Sequence, residues 1–264
     1  MRLKIHHRTE YSYAAAVPHA LQRVRLVPAS GATQTVVNWS LRVEGAKEEV
    51  QYFDQFGNDT RLLSVAGAPH LIAFDAAGEI ETKDKSGVTG EHHGFTPLWL
   101  YLRQTQLTTA GDAISGLAKK VGKGTEIERL HTLMALISDN VAYQSGTTTV
   151  ATAAEEALLL KVGVCQDHAH IFVTAARVLG FPARYVSGYL MLDDQIEQAA
   201  SHAWAEAHVQ GLGWVAFDVS NCISPDERYV RIAVGRDYRD AMPVSGFRVG
   251  QPVEQLAVVI RVEQ

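Results

Sequence analysis

The sequence predicts an α+β fold in which a small antiparallel β-sandwich precedes a core of helices packed on an antiparallel sheet. Three observations predict it. Residues 1 to about 90 alternate apolar and polar side chains with period two, residues from about 126 to 179 switch to helical periodicity, and strand-like runs return after 183. With 264 residues, 47% of them hydrophobic, the chain can bury one or two cores without disulfides or metals, and two domains are expected.

In the first half, 21–27, 36–43, 49–53 and 70–74 read as strands, separated by Pro28, Gly31, the Phe56-Gly57-Asn58-Asp59 turn, Gly67, Pro69 and Gly78. The polar stretch 83–97, with Gly87, Gly90 and Gly94, marks the boundary between a β domain over 1–90 and a second domain over 91–264. Thr125 with Glu128 and Thr152 with Glu155 fit capping boxes, in which each side chain satisfies an orphan amide at a helix start. Helices are therefore expected over 126–141 and 153–160. A third helix is expected over 165–179, where Ala169, Phe172, Val173, Ala176 and Leu179 form an apolar stripe that Gly180 and Pro182 end. Strands over 183–191, 202–209, 214–218 and 256–262 complete the second half.

Composition narrows the function classes. The 24 basic and 29 acidic residues give a net charge of −5 without runs of one sign, so no footprint for nucleic acid or an anionic membrane is present. Two cysteines, Cys165 and Cys222, do not make a disulfide framework and point to a reducing compartment. The charged, alternating N-terminus lacks a signal-peptide core, and no eighteen-residue apolar run occurs; a soluble, cytoplasmic protein is expected. Its partner is expected to be a small molecule or a protein.

The chemistry concentrates in Gly163-Val164-Cys165-Gln166-Asp167, where a thiol sits in the first turn of an apolar helix. Orphan amides and the positive end of the helix dipole favour an ionised thiol, and the same amides can donate to an oxyanion. A cysteine packed as a small hydrophobe is the ordinary alternative, against which Gly163 and the polar Gln166 and Asp167 argue. His202 opens a strand whose face it shares with Trp204, Glu206 and His208, and Asp218 ends the next strand. Together Cys165, His202 and Asp218 read as nucleophile, base and orienting carboxylate. If 210–213 form a four-residue turn, Asp218 faces Ala205 and falls about 10 Å short of His202, so a bulge or Asn221 in its place stays open. Cys165, His168 and His170 superficially resemble a metal run, yet only the i, i+3 pair shares a helix face, and no metal or cofactor is expected.

These residues resemble a family. Gly-Val-Cys-Gln-Asp at 163–167, Ser-His-Ala-Trp at 201–204, Gly-Trp-Val-Ala-Phe-Asp at 213–218 and Val-Gly-Arg-Asp-Tyr at 234–238 look like bacterial transglutaminase-like proteins, candidate cysteine proteases. The segments 6–13, 25–28 and 54–58 are similar to the β domain that accompanies them. The resemblance implies a papain-like core, with Cys165 as nucleophile, His202 as general base and then acid, and Asp218 preferred over Asn221 as orienter. From their places beside the thiol and on the His202 face, Gln166 and Trp204 are the candidate substrate or oxyanion neighbours. Two departures are His168, where an aromatic residue is expected, and Leu159, where papain-like enzymes carry an oxyanion glutamine. The expected activity is thiol-dependent hydrolysis of a peptide or isopeptide amide. Acyl transfer to an amine and a non-catalytic protein-binding module are the alternatives, and exposed strand edges leave a homo-oligomer open.

Overall fold

The computed structural model describes residues 1–65, 67–250 and 253–264. The first stretch is all strand: β1 (Arg2–Tyr13), β2 (Ala20–Val27), β3 (Gln34–Glu44), β4 (Lys47–Phe53), β5 (Asp59–Val65), β6 (Leu71–Thr82) and the short β7 (Val88–Gly90). Helices follow, α1 (Asp112–Lys120), α2 (Glu126–Asn140), α3 (Ala154–Leu160) and α4 (Cys165–Val178), with the two-residue strands β8 (Ala142–Tyr143) and β9 (Val162–Gly163) between them. The chain ends in β10 (Ala183–Leu190), β11 (Glu197–Gln198), β12 (His202–Val209), β13 (Gly213–Phe217), β14 (Tyr229–Gly235), α5 (Tyr238–Ala241), β15 (Val244–Arg248) and β16 (Glu254–Glu263). This is the α+β class expected, with helices packed against antiparallel sheet.

Strand pairing interleaves the two halves of the sequence. The run expected over 256–262 does not join the second half's sheet; β16 lies antiparallel to β1, in the sheet β11-β16-β1-β6-β3, and β15 pairs with β2 in the other layer of the sandwich. The reason is burial: Ile260 and Val262 alternate inward beside Leu3 and Ile5, closing the apolar layer between the sandwich and the rest of the molecule. Conversely β7 pairs with β13, at the edge of the second half's sheet, β14-β10-β12-β13-β7.

Two side-chain amides seal the junction by imitating strand neighbours. Asn58 donates to the Val234 carbonyl and accepts from its N–H, both at 2.8 Å. Gln34 does the same with Arg231, at 2.9 and 2.8 Å. Both cover the outer edge of β14, which would otherwise expose unpaired main-chain groups. Asp54 holds the Asn58 turn, accepting from the amides of Phe56 and Asn58 and from Arg25 Nε at 2.8 Å.

The capping box at Thr125 forms, with Glu128 accepting from the Thr125 amide at 2.9 Å. The one expected at Thr152 does not. Glu155 instead reaches across to the start of α1, a helix the sequence reading passed over, and accepts from the amides of Gly111, Ala113 and Ile114. A carboxylate there suits the positive end of α1 better than its own helix, whose N-cap is Ala153. Helix α4 carries more than a stripe, because nearly every residue from Cys165 to Arg177 is buried. It is the central element, covered by α1, α2 and α3 and by one face of the β10–β14 sheet.

Candidate active site

The local sequence builds the start of α4. Gly163 lies so close to Asp167 that a Cβ there would sit 2.7 Å from the aspartate Cβ, which explains the glycine. Asp167 folds back to accept from the Val164 amide at 2.8 Å and from Thr148 Oγ1 at 2.6 Å. The cap lies just ahead of Cys165, which occupies the first helical position with its own amide among the orphan donors of the first turn. The thiol is 8% exposed, at the floor of a cleft of about 540 Å³.

His202 and Asp218 come together through a turn one residue shorter than expected. Val209 pairs with Gly213 and Ala205 with Phe217, so the loop is 210–212. Gly213 adopts φ of +78° beside the Gly90 carbonyl, 2.2 Å from where a Cβ would be, and only glycine fits. A one-residue shift turns every following side chain to the other face. Asp218 therefore points to the His202 face, diagonal to it, and no bulge is needed. Its Oδ2 lies 2.7 Å from His202 Nε2. The same oxygen accepts from Asn221 Nδ2 and Tyr229 Oη, each at 2.7 Å, while Oδ1 accepts from the Ser220 amide at 3.0 Å. Asn221, the alternative partner for His202, is thus a support for the aspartate.

Electrostatics follow from this arrangement. Burial disfavours a charged His202, but the hydrogen bond to Asp218, a hydrogen bond to Cys165 and the charges of both outweigh it, raising the imidazole to about 10. With Nε2 on Asp218, Nδ1 is the nitrogen left for the sulfur. Burial likewise works against a charged Asp218, and the bond to His202 reverses this, holding it below the usual carboxylate range. Tyr143, at the end of β8, is held in its phenol form by burial and by the nearby charges of Cys165 and Asp218.

The histidines of α4 are structural. Burial keeps His168 neutral, with Nε2 donating to the Val141 carbonyl at 3.1 Å and Nδ1 accepting from Ser220 Oγ at 2.9 Å. Both ring nitrogens are engaged, which accounts for a histidine in an aromatic-lined position, since Tyr143 packs edge-on against it. Burial pushes His170 down to about 3, and its Nε2 accepts from the Tyr238 amide at 3.0 Å.

Of the other residues singled out, Gln166 lines the cleft and Trp204 does not. Trp204 is buried and packs against both His202 and Tyr229, where it braces the imidazole. Cys222 is exposed on the loop after Asp218, and Leu159 is exposed on α3. Tyr143 was missed; a tyrosine ending a two-residue strand leaves no periodic signal, although β8 pairs in parallel with β9 and so ends beside Cys165. Among the described residues no helix is long and apolar enough to cross a membrane.

Comparison with known proteins identifies the family and the fold. Residues 115–219 match the transglutaminase-like superfamily, and residues 3–81 match the bacterial transglutaminase-like N-terminal region. An uncharacterized protein of Mycobacterium leprae is 28% identical over 99% of this chain and 98% of its own length. One from Mycobacterium tuberculosis is 30% identical over 93% of this chain and 87% of its own. The crystal structure of a putative cysteine protease from Cytophaga hutchinsonii shares the fold, with a TM-score of 0.78 at 23% identity over 100% of this chain and 91% of that one.

Proposed function

We propose, from the premise that the chain belongs to the transglutaminase-like superfamily, that it hydrolyses a peptide or isopeptide amide through a Cys165 thioester. The observation that carries this reading is the His202 imidazole held at 2.7 Å by Asp218 and opening, with Cys165 in the first turn of a buried helix, onto the same cleft. In the reaction, the Cys165 sulfur attacks the amide carbonyl and His202 Nδ1 delivers its proton to the departing amine. Water then attacks the thioester while the neutral imidazole takes one of its protons, and the acid leaves as the sulfur is released. Developing negative charge on the carbonyl oxygen would be met by the Cys165 amide and the Tyr143 hydroxyl, which stands in for the glutamine absent at Leu159.

Hydrolysis is favoured over transfer to an amine because the cleft is wettable. Its lining carries Gln166, Ser145, Ser201 and Asn221, polar groups able to bind a water beside the thioester. Incubation of a peptide and isopeptide library with the wild type and Cys165→Ala, read by mass spectrometry, tests both points. The expected result is free-acid product from the wild type alone. Equal turnover by the alanine variant refutes the mechanism, and incorporation of an added amine in preference to water assigns the transfer reaction instead. A non-catalytic binding module would leave Cys165 no more reactive toward iodoacetamide than Cys222.

A further inference from the structure

Beside the cleft, the sandwich supplies a second compartment that the proposed chemistry does not use. It is about 180 Å³, and it borders the Cys165 cleft, with Ala200, Ser201 and Tyr238 lining both. Its other wall is the sheet of the sandwich, where Tyr11 stands opposite Leu256 and Thr9 opposite Val258 across β1 and β16. Leu256 is 57% exposed there, a large apolar side chain facing open space.

The outer edge of β16 at this wall also lacks a paired strand among the described residues. Strand β11 covers β16 only at Glu197↔Arg261 and Gln198↔Ile260, and the Val262 amide donates to the Ile196 carbonyl at 3.1 Å. After Gln198 the chain veers off through Ala199–Ser201 toward His202, and the compartment fills the gap. In an antiparallel strand alternate residues turn their N–H and C=O to the same side. Val262 and Ile260 face β11, so Val258 and Leu256 turn theirs to an edge with no further strand among the described residues. Between Gln255 and Ile260 that edge has neither charge nor proline, the usual guards against strand addition.

We propose that this edge is the substrate's docking rail: an extended, unfolded polypeptide adds to β16 as a strand, seats an apolar side chain against Leu256 and Val244, and runs past Ser201 into the Cys165 cleft. The inference rests on the hydrolytic reading and names its substrate class. Strand addition reads main-chain groups, with specificity from alternate side-chain pockets, which selects a polypeptide segment several residues long over a small amide. The sandwich would thereby be part of the substrate site.

The test uses peptides with a central vinylogous residue, a Michael acceptor to whose β-carbon the Cys165 sulfur adds while solvent protonates the α-carbon. Four-residue apolar arms are attached on either side, and alkylation rates are referred to iodoacetamide labelling of the same preparation. One arm should accelerate alkylation at least tenfold. N-methylation of alternate amides in that arm, or Val258→Pro, which removes an outward-facing donor together with a side chain lining the compartment, should abolish the gain, and an acidic arm should lack it. Arms that change the rate less than twofold, or a gain that survives both N-methylation and Val258→Pro, overturn the proposal. So does sedimentation showing a dimer that Val258→Pro dissolves, since a second copy then occupies the edge. If iodoacetamide itself labels Cys165 no faster than Cys222, the active-site reading has failed; fast labelling without an arm effect removes the rail alone.

Discussion

One face of the β10–β14 sheet carries two carboxylates that water does not reach, and they have opposite characters. Glu206 meets Arg184 Nε at 2.6 Å and lies 3.6 Å from Arg231 Nη1, while the Arg184 guanidinium rests 4.1 Å from the centre of the Trp214 ring. Asp218 meets an imidazole and two neutral donors, Asn221 and Tyr229. The partners of Glu206 are guanidinium groups, which are not proton-transfer groups in proteins, and the cluster fixes the packing of neighbouring strands. The imidazole can release its proton, and its other nitrogen faces a cleft. The difference teaches that two equally buried carboxylates can differ in what they support: only Asp218 has a partner that titrates beside an open cavity.

The sharpest way to break this comparison is to change each carboxylate in turn. Asp218→Asn keeps the size but removes the charge, and its amide can donate to Nε2, favouring the wrong tautomer. Turnover should fall on the order of a thousandfold or more. The pH profile should move with it. In the wild type the proton that His202 delivers is retained until pH approaches about 10, so activity should decline above that value. Because the folded value is raised from 6.5, the stability contributed by the charged pair is complete below 6.5 and is lost as pH rises through about 10. The apparent value belongs to the Cys165–His202 pair, and Asp218→Asn should lower it toward the ordinary histidine range. An unchanged alkaline limb in that variant would disconnect Asp218 from the imidazole.

Glu206→Ala should do the reverse. It leaves the buried Arg184 and the partly exposed Arg231 without the carboxylate they share, a loss expected to cost about 3–5 kcal/mol of stability in denaturant titration. The labelling preference for Cys165 over Cys222 should persist in the protein that remains folded. A variant of wild-type stability that lost this preference would show that the Glu206 cluster belongs to the reactive site.

Much of the arrangement was legible in the chain because it is locally encoded. Thr125 and Glu128 cap their own helix, and Gly163 and Asp167 enclose the start of α4 within five residues. The His202–Asp218 contact depended on a loop length, and there the counting erred by one residue; Gly211 and Gly213, both at positive φ, were the signal for the tighter turn. Pairings set by distant residues left no mark. Nothing around β16 reveals that it closes on β1, nothing near Glu155 reveals that it caps α1, and Tyr143 reaches the cleft only because a two-residue strand pairs with β9.

The finest distinction between the two carboxylates lies in how many neutral donors hold each one. Tyr229→Phe removes a single donor from Asp218 Oδ2 and leaves Asn221 Nδ2, the Ser220 amide and the imidazole in place. The ring also packs against Trp204 and His202, contacts that phenylalanine preserves. One hydrogen bond to a charged acceptor contributes about 1.5–3 kcal/mol, part of which the remaining donors recover by tightening. A loss of about tenfold in kcat/KM is expected, with KM nearly unchanged because Tyr229 does not line the cleft. The missing donor leaves more negative charge on Oδ2 to face His202, so the alkaline limb should hold its position or rise slightly, opposite to its movement in Asp218→Asn. A fall of that limb in Tyr229→Phe would mean that the hydroxyl positions the carboxylate and does not merely share its charge.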